Sequence, residues 1–397
     1  MSISKAPKDF VSNVVKNIPP SGIRKFFDIV NEMEDAISLG VGEPDFVTPW
    51  HIRNAGIESM KNGHTYYTSN WGLKELRNEI SNWYDKKYNI KYNPSNEIFV
   101  TVGGSEAVDV TIRALVEPGD EVLIPEPCFV CYKPCVDLIG GVAVPVLTTS
   151  DTKFKLTAKA LTEKITDKTK LLILSYPNNP TGAIMTKSEL AEIVEVLKDK
   201  NIMVLSDEIY SELTYEGKHA SIAQFPEMKD KTVVVNGFSK AFAMTGWRLG
   251  YALGHPDVIS AMIKIHQYAI MSSPTFSQYA AIEALKNGDE DVEQMKSEYN
   301  IRRRVLVDGL NKLGLECFEP LGAFYVFPSI KSTNMTSNEF CEELLKTEKL
   351  AVIPGSAFGE SGEGYVRISY AYSLDKIKIA LKKIESFLNK INKAEEE

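Results

Sequence analysis

Short apolar runs alternate with amphipathic stretches along most of the chain. The apolar runs predict strands at Ile98 to Val102, Glu121 to Ile124, Val142 to Val146, Leu171 to Leu174, Ile202 to Leu205, Thr232 to Val235 and Leu249 to Leu253. The amphipathic stretches predict helices at Ser105 to Leu115, Thr186 to Leu197 and Pro256 to His266. Strands that are apolar on both faces and joined by helices are typical of a largely parallel α/β sheet.

The pattern changes after about residue 285. The remaining sequence predicts a long polar helix, two short strands and a last helix, at Asp291 to Leu313, Phe324 to Phe327, Gly364 to Ser369 and Leu374 to Lys393. This second pattern indicates a smaller α+β domain that follows the sheet.

Composition excludes several classes of partner. The chain has 397 residues, of which 44% are hydrophobic and 25% charged, enough for a sizeable core and roughly two to three domains. A net charge of -8 and a pI of about 5.4 favour neither nucleic acid nor an anionic membrane as a partner. The N-terminus lacks the apolar segment of a signal peptide, and no apolar run is long enough to cross a bilayer. We therefore expect a cytoplasmic protein that acts on small molecules.

Five cysteines, an odd number, fit free thiols in a reducing compartment. Cys128, Cys131 and Cys135 could be interpreted as metal or iron–sulfur ligands. Because no further Cys or nearby His completes such a set, we interpret them as small buried hydrophobic residues and predict no metal.

Four segments with chemically informative residues follow predicted strands. They are Gly103 to Ser105, Asn178 to Gly182, Asp207 and Lys240. Ligands of open parallel sheets bind at the carboxyl ends of the strands, so we expect these segments to meet. Taken alone, the segment Asn178 to Gly182 favours a simple turn over a functional role.

Lys240 is the most informative of these residues. It follows an apolar strand, and Ser239 and Arg248 lie close to it in sequence. An amine in this setting can hold an aldehyde cofactor as a Schiff base beside groups that bind a phosphate. The alternative is a surface lysine after a strand.

Together these segments resemble the class I and II aminotransferases of fold type I, which use pyridoxal 5'-phosphate, and in particular their microbial aspartate and aromatic branch. The resemblance extends from Gly40 to Phe46 near the start to Val366 to Ser369 near the end. It implies a large cofactor-binding domain with a mostly parallel central sheet flanked by helices (48–285), a smaller α+β domain (286–397), and an N-terminal segment (1–47) that packs with the smaller domain.

The resemblance assigns the cofactor contacts. Lys240 matches the lysine that forms the Schiff base and carries the proton in catalysis, and Asp207 the carboxylate that pairs with the pyridine nitrogen. Glu208 is the rival on sequence alone, because adjacent strand residues point to opposite faces. Tyr210 and Asn179 match the partners of the ring hydroxyl. The phosphate contacts and the ring-stacking aromatic match Gly104, Ser105, Glu106, Ser239, Arg248 and Phe129. Core packing is the alternative for Phe129.

The resemblance also implies a substrate site and an assembly. Arg367 matches the residue that binds the substrate α-carboxylate, with Asn179 and the backbone of Gly42 completing the site; a surface arginine is the alternative. Tyr67 matches the tyrosine that reaches the phosphate of the neighbouring subunit, which implies a homodimer with shared active sites.

The donor amino acid is the least defined feature. Relatives specialised for aspartate carry a lysine and a threonine where this chain has Ser105 and Ile23. An apolar Ile23 in the side-chain pocket favours aromatic or broad donors with 2-oxoglutarate as acceptor in a ping-pong reaction. Aspartate specificity is second, since Arg24 and Lys25 could supply the missing cation, and a C–S lyase using the same cofactor is third. A regulator is disfavoured, because no DNA-binding domain precedes the fold.

Overall fold

A seven-stranded sheet forms the centre of the computed structural model, which describes residues 7–20, 22 and 35–396. Its strands, in spatial order, are β2 (Ile98–Thr101), β8 (Gly250–Leu253), β7 (Thr232–Gly237), β6 (Met203–Asp207), β5 (Thr169–Ser175), β3 (Glu121–Glu126) and β4 (Val142–Leu147). Every strand predicted between residues 98 and 253 is therefore present in this sheet.

The sheet is parallel except at β8. The pairs β3–β4, β3–β5, β5–β6 and β6–β7 are parallel, whereas β8 is antiparallel to both β2 and β7. Hydrophobic periodicity is the same for both directions, so the sequence predicted the strand but not its orientation. The parallel strands end at one edge of the sheet, which is the edge where ligands bind in this class of fold.

Alternate side chains of β5 pack on opposite faces of the sheet. Leu172 and Leu174 belong to one apolar cluster, together with Ile193 of the helix Lys187–Leu197. Leu171 and Ile173 belong to a cluster on the other face, which contains residues of the helices Gly103–Leu115 and Pro256–Ala269. Burial on both faces explains why the strand is a continuous apolar run in the sequence.

The helices include several that periodicity did not predict, such as Lys74–Tyr88 and Thr275–Asn287. The described helices are Asn13–Asn17, Trp50–Lys61, Lys74–Tyr88, Gly103–Leu115, Tyr132–Leu138, Ala158–Lys164, Lys187–Leu197, Pro226–Lys229, Pro256–Ala269, Thr275–Asn287, Asp289–Lys312, Ser337–Glu348 and Leu374–Glu396. Within the described ranges, none of these helices combines the length and apolar character required to cross a membrane.

Two small sheets lie outside the central sheet, and one of them joins the N-terminal segment to the C-terminal part of the chain. β9 (Tyr325–Val326), β11 (Ile353–Pro354) and β12 (Val366–Ser369) are antiparallel, with β12 in the middle. β1 (Ile37–Ser38) pairs in parallel with β10 (Leu350–Ala351). This pairing places Ile37–Ser38 against Leu350–Ala351. The division into 1–47, 48–285 and 286–397 stays a prediction.

Candidate active site

The carboxyl ends of the parallel strands open into a cavity of about 270 Å³. Asp207 is the last residue of β6, and Lys240 lies three residues beyond the end of β7. Most of the residues predicted for the site line this cavity, namely Gly42, Gly104, Ser105, Phe129, Asn179, Asp207, Tyr210, Ser239, Lys240, Arg248 and Arg367. The sheet therefore brings together segments that are far apart in the sequence.

The amine of Lys240 points towards the N-terminal segment. Its Nζ donates a 2.6 Å hydrogen bond to the carbonyl oxygen of Gly42. Burial lowers the pKa of Lys240 to about 8; Arg367 and Arg248 act in the same direction and Glu43 opposes them. A lowered pKa makes the neutral, nucleophilic amine accessible near neutral pH.

Asp207 is a buried carboxylate that faces the cavity. Burial raises the pKa of Asp207, while hydrogen bonds from Tyr132 and from the Ile209 backbone oppose that shift. The Tyr132 hydroxyl donates to Oδ2 over 2.7 Å, and the Ile209 N–H donates to Oδ1 over 3.2 Å. A carboxylate held this way can pair with a cationic ring nitrogen.

Glu208, the rival of Asp207, points away from the cavity. Its Oε1 accepts hydrogen bonds from the hydroxyls of Ser206 and Ser221, and its Oε2 lies 3.0 Å from Nε2 of His219. Glu208 is only 1% exposed and does not line the cavity. The alternation of adjacent strand residues thus separates the two acids, with Asp207 on the cavity side.

The start of the helix Gly103–Leu115 forms a cationic cradle with Arg248. Gly103 has φ +76°, and a Cβ atom there would lie 2.6 Å from an Arg248 guanidinium nitrogen, so this position requires glycine. Arg248 itself has φ +51°, an uncommon backbone conformation outside glycine. Helix N–H groups, the guanidinium and the nearby hydroxyls of Ser105 and Ser239 suit a phosphate.

The side chain of Glu106 is not part of that cradle. Its Oε1 is 2.6 Å from Nδ1 of the buried His266, and its Oε2 accepts a hydrogen bond from the N–H of Val102. Glu106 does not line the cavity. Any contact of Glu106 with a phosphate therefore depends on its backbone N–H.

Arg367 is a buried cation without an acidic partner. It is 2% exposed and donates to Oδ1 of Asn179 over 2.8 Å and to the carbonyl oxygen of Gly40 over 2.6 Å. Within residues 7–20, 22 and 35–396, no carboxylate forms a salt bridge with it, and its Nε has no hydrogen-bond partner. Because buried charges are normally paired, this arrangement favours an anionic ligand.

Two further predicted residues are not part of the described lining of this cavity. Tyr67 does not line it and is 80% exposed, beside the equally exposed Tyr66. Ile23 lies outside the described residues, as do Arg24 and Lys25.

Several cavity residues were missed by the sequence analysis, among them Tyr132, Ser175, Thr245 and Tyr325. Tyr132 lies three residues after Phe129, on the segment that leaves β3, and this proximity was the only available signal. Tyr325 is part of the predicted strand Phe324 to Phe327, to which the sequence assigned no functional role.

The residues present fit pyridoxal 5'-phosphate. The cavity has an amine for the aldehyde, a buried acid for the ring nitrogen and a cationic cradle for the phosphate. Across the described part of the chain, no group of three or more His, Cys, Asp or Glu side chains is arranged to hold a metal ion.

Known proteins match this chain over nearly its full length. The family "Aminotransferase class I and II" matches residues 34–384. The chain is 55% identical over 381 residues to the putative aminotransferase YugH of Bacillus subtilis (strain 168), covering 96% of this chain and 99% of that protein. It is 46% identical over 374 residues to an aspartate aminotransferase of Pyrococcus abyssi, covering 94% and 96%. The structure of the aromatic aminotransferase from Pyrococcus horikoshii OT3 matches with a TM-score of 0.88 at 43% identity, covering 93% of this chain and 99% of that one.

Proposed function

The chain belongs to the class I and II aminotransferases, which depend on pyridoxal 5'-phosphate, and we propose that it moves the amino group of aromatic or a broad range of amino acids to 2-oxoglutarate. The reaction is of the ping-pong type, in which the 2-oxo acid product leaves before the acceptor binds.

One observation carries this proposal. A lysine amine with a lowered pKa and a buried arginine without an acidic partner line the same cavity. An amino acid needs both groups, because its α-carboxylate requires a cation and its α-proton requires a base. Arg367, oriented by Asn179, binds the carboxylate, and Lys240 Nζ takes the proton from the α-carbon.

The cofactor supplies an electron-withdrawing heterocycle that stabilises the negative charge left on the substrate α-carbon. Asp207 keeps the ring nitrogen protonated, because a nearby carboxylate favours the cationic form. Tyr210 and Asn179 hold the ring hydroxyl. Arg248, Ser239 and the N–H groups of the helix Gly103–Leu115 bind the phosphate, with Ser105 at the start of that helix and Phe129 against the ring.

The small number of cations in the cavity favours aromatic or broad donors. The described lining contains three cations, Lys240, Arg248 and Arg367, and each already has a role in the proposed chemistry. A second carboxylate of the donor would have no further cation in that part of the site, whereas the ring of Tyr132 supplies apolar surface. The second carboxylate of the acceptor 2-oxoglutarate requires a cation from outside this lining, and Arg24 and Lys25 are the candidates. Ile23, which lies outside the described residues, adds to this preference in the proposal.

Aspartate is the second candidate donor. It is favoured by one specific observation, the 46% identity to an enzyme named as an aspartate aminotransferase. The structure named as an aromatic aminotransferase is 43% identical, so the relatives do not separate the two donors.

A cytoplasmic homodimer is part of the proposal. All five cysteines are free, which suits a reducing compartment. Tyr66, Tyr67, Trp50 and Tyr268 are large side chains that are between 62% and 87% exposed. Their exposure leaves these side chains available to a second copy, which in this proposal brings Tyr67 to the neighbouring phosphate site.

Half-reactions test the donor range directly. Purified enzyme loaded with cofactor is mixed with phenylalanine, tyrosine, aspartate, alanine or glutamate, and the loss of the cofactor's visible absorbance is followed without acceptor. We expect the aromatic donors to react faster than aspartate, and a much faster reaction with aspartate contradicts the proposed range. Catalytic release of 2-oxo acid in the absence of 2-oxoglutarate would identify a lyase instead.

A further inference from the structure

Two tyrosine hydroxyls meet beside Lys240. The hydroxyl oxygens of Tyr210 and Tyr325 are 2.8 Å apart, and either can donate the hydrogen bond. Both side chains are buried, with Tyr325 only 1% exposed, and both line the cavity. The Lys240 Nζ is 5.9 Å from the centre of the Tyr210 ring.

Tyr325 also contacts the proposed carboxylate site. It lies on β9, which pairs with β12, the strand that carries Arg367. The guanidinium carbon of Arg367 is 4.5 Å from the centre of the Tyr325 ring, a distance typical of a cation–π contact. One side chain therefore touches Arg367 with its ring and Tyr210 with its hydroxyl.

The position of the Tyr325 hydroxyl is tightly defined. A Cβ atom at Gly42 would overlap the Tyr325 hydroxyl oxygen, so only glycine leaves room for it. The carbonyl oxygen of the same Gly42 accepts the hydrogen bond from Lys240. A change at the Tyr325 hydroxyl is thus close to the groups proposed to carry the chemistry.

The charge of Arg367 acts on both hydroxyls. Burial raises the pKa of Tyr325 and the pKa of Tyr210, and the positive charge of Arg367 lowers both. A carboxylate bound to Arg367 would offset that positive charge and weaken its effect on the pair.

We propose that Tyr325 is a positioning residue that transmits the occupation of the Arg367 site to Tyr210 and, through Tyr210, to the ring hydroxyl of the cofactor. The inference rests on the roles proposed above for Arg367 and Tyr210. When Tyr325 donates to Tyr210, the Tyr210 proton is available to the ring oxygen. Carboxylate binding changes the strength of that donation, so the cofactor responds to a correctly bound substrate.

The pH dependence of the cofactor's visible absorbance tests the proposal. The wild-type enzyme and Tyr325→Phe are titrated with and without 3-phenylpropionate, which has a carboxylate but no amino group to react. We expect the analogue to move the wild-type midpoint upwards by on the order of one pH unit, because it offsets the positive charge of Arg367. In Tyr325→Phe the midpoint without analogue lies higher, since the ring oxygen loses hydrogen bonding, and the shift caused by the analogue falls to less than half.

Two further variants separate transmission from a structural effect. In a Tyr210→Phe background, Tyr325→Phe should change the midpoint no further, because the link between the two residues is already broken. Tyr88→Phe is the matched control, since the buried Tyr88 donates a 2.8 Å hydrogen bond to Glu212 outside the cavity and should leave the titration unchanged.

A failure of the role proposed for Tyr325 can be distinguished from a failure of the proposed function. A wild-type shift that Tyr325→Phe leaves intact contradicts the role of Tyr325 and leaves the proposed function standing. Additive effects of Tyr325→Phe and Tyr210→Phe also contradict it. If 3-phenylpropionate does not move the wild-type midpoint, the result contradicts both the proposed carboxylate site at Arg367 and the transmission through Tyr325.

Discussion

The Tyr132 hydroxyl donates a 2.7 Å hydrogen bond to Oδ2 of Asp207 and lies 2.9 Å from the hydroxyl of Ser175. All three residues follow or end strands of the central sheet, and Tyr132 is only 1% exposed. The acid proposed to pair with the cofactor ring is therefore fixed by a tyrosine on the segment that also carries Phe129.

Tyr132→Phe should weaken catalysis without preventing cofactor binding. The Tyr132 hydrogen bond lowers the pKa of Asp207, so its loss should raise that pKa and move the loss of activity at acidic pH to higher pH. We expect kcat to fall by about tenfold, which corresponds to about 1.5 kcal/mol for one hydrogen bond to a charged group. The measurement is a pH profile of kcat with a reactive donor.

Tyr92→Phe is the control for that profile. Tyr92 is 2% exposed, and its hydroxyl has no hydrogen-bond partner within the described ranges. Its substitution should leave the profile in place. An unshifted acidic limb in Tyr132→Phe would show that the hydrogen bond does not control Asp207.

Lys240→Met should stabilise the cofactor-free protein in a pH-dependent way. Burial lowers the pKa of Lys240 to about 8, below the ordinary value of 10.5, so the folded state disfavours the charged amine. This penalty is full below about pH 8 and fades as the pH rises towards 10.5, because the unfolded chain then also loses the proton.

Urea unfolding of both proteins across this pH range measures the difference. Methionine keeps much of the side-chain volume without the charge. The stability advantage of Lys240→Met should be largest at neutral pH and shrink at alkaline pH. An advantage that stays constant with pH would show that folding does not lower the pKa of Lys240.

His51 bridges two acidic residues of other helices. Its Nδ1 lies 2.7 Å from Glu283 and its Nε2 lies 2.9 Å from Asp291. Partial burial opposes the charged form, but the hydrogen bonds and charges of Asp291 and Glu283 outweigh it and raise the pKa of His51. The stabilisation is therefore fully present below pH 6.5 and lost as the pH rises through the raised value.

We expect His51→Gln to lower the free energy of unfolding at pH 5.5 by less than about 1 kcal/mol, since the side chain is partly exposed and solvent screens its charge. At pH 8.5 the loss should be smaller than at pH 5.5. Denaturant midpoints of the two proteins at both pH values give the comparison. A larger loss at pH 8.5 would reverse the sign and contradict the assignment.

Tyr67 should act on the neighbouring subunit. We expect mixing of Lys240→Ala with Tyr67→Ala, followed by subunit exchange, to restore activity, because one site of each mixed dimer then contains both wild-type residues. With random exchange, about a quarter of the sites should be wild type. Activity no higher than that of the unmixed Tyr67→Ala would contradict shared active sites.

The sequence predicted the residues whose position follows from chain topology. Asp207 and Lys240 follow apolar strands, and parallel strands bring their carboxyl ends to one edge, so their convergence was predictable. The family resemblance supplied the chemistry of each residue. The seven strands of the central sheet were predicted for a different reason, because each is a run of apolar residues that is visible in the sequence.

Features that depend on distant partners were not predictable. The Glu106 side chain contacts the ring of His266, which lies 160 residues away in sequence. Tyr132 and Tyr325 are aromatic residues whose sequence neighbourhood resembles ordinary core, and only the folded chain shows that their hydroxyls meet Asp207 and Tyr210. Strands of two residues, such as β1 and β10, are too short to give a periodic signal.

The roles proposed for the cavity residues all require that Lys240 holds the cofactor. Borohydride reduction of the loaded enzyme makes the bond between an amine and an aldehyde cofactor permanent, and peptide mapping by mass spectrometry then locates the adduct. We predict one adduct per chain, on Lys240. When the Lys240→Ala variant is treated in the same way, no adduct should form at position 240. An adduct on any other lysine, or a protein that takes up no cofactor, would contradict the assignment.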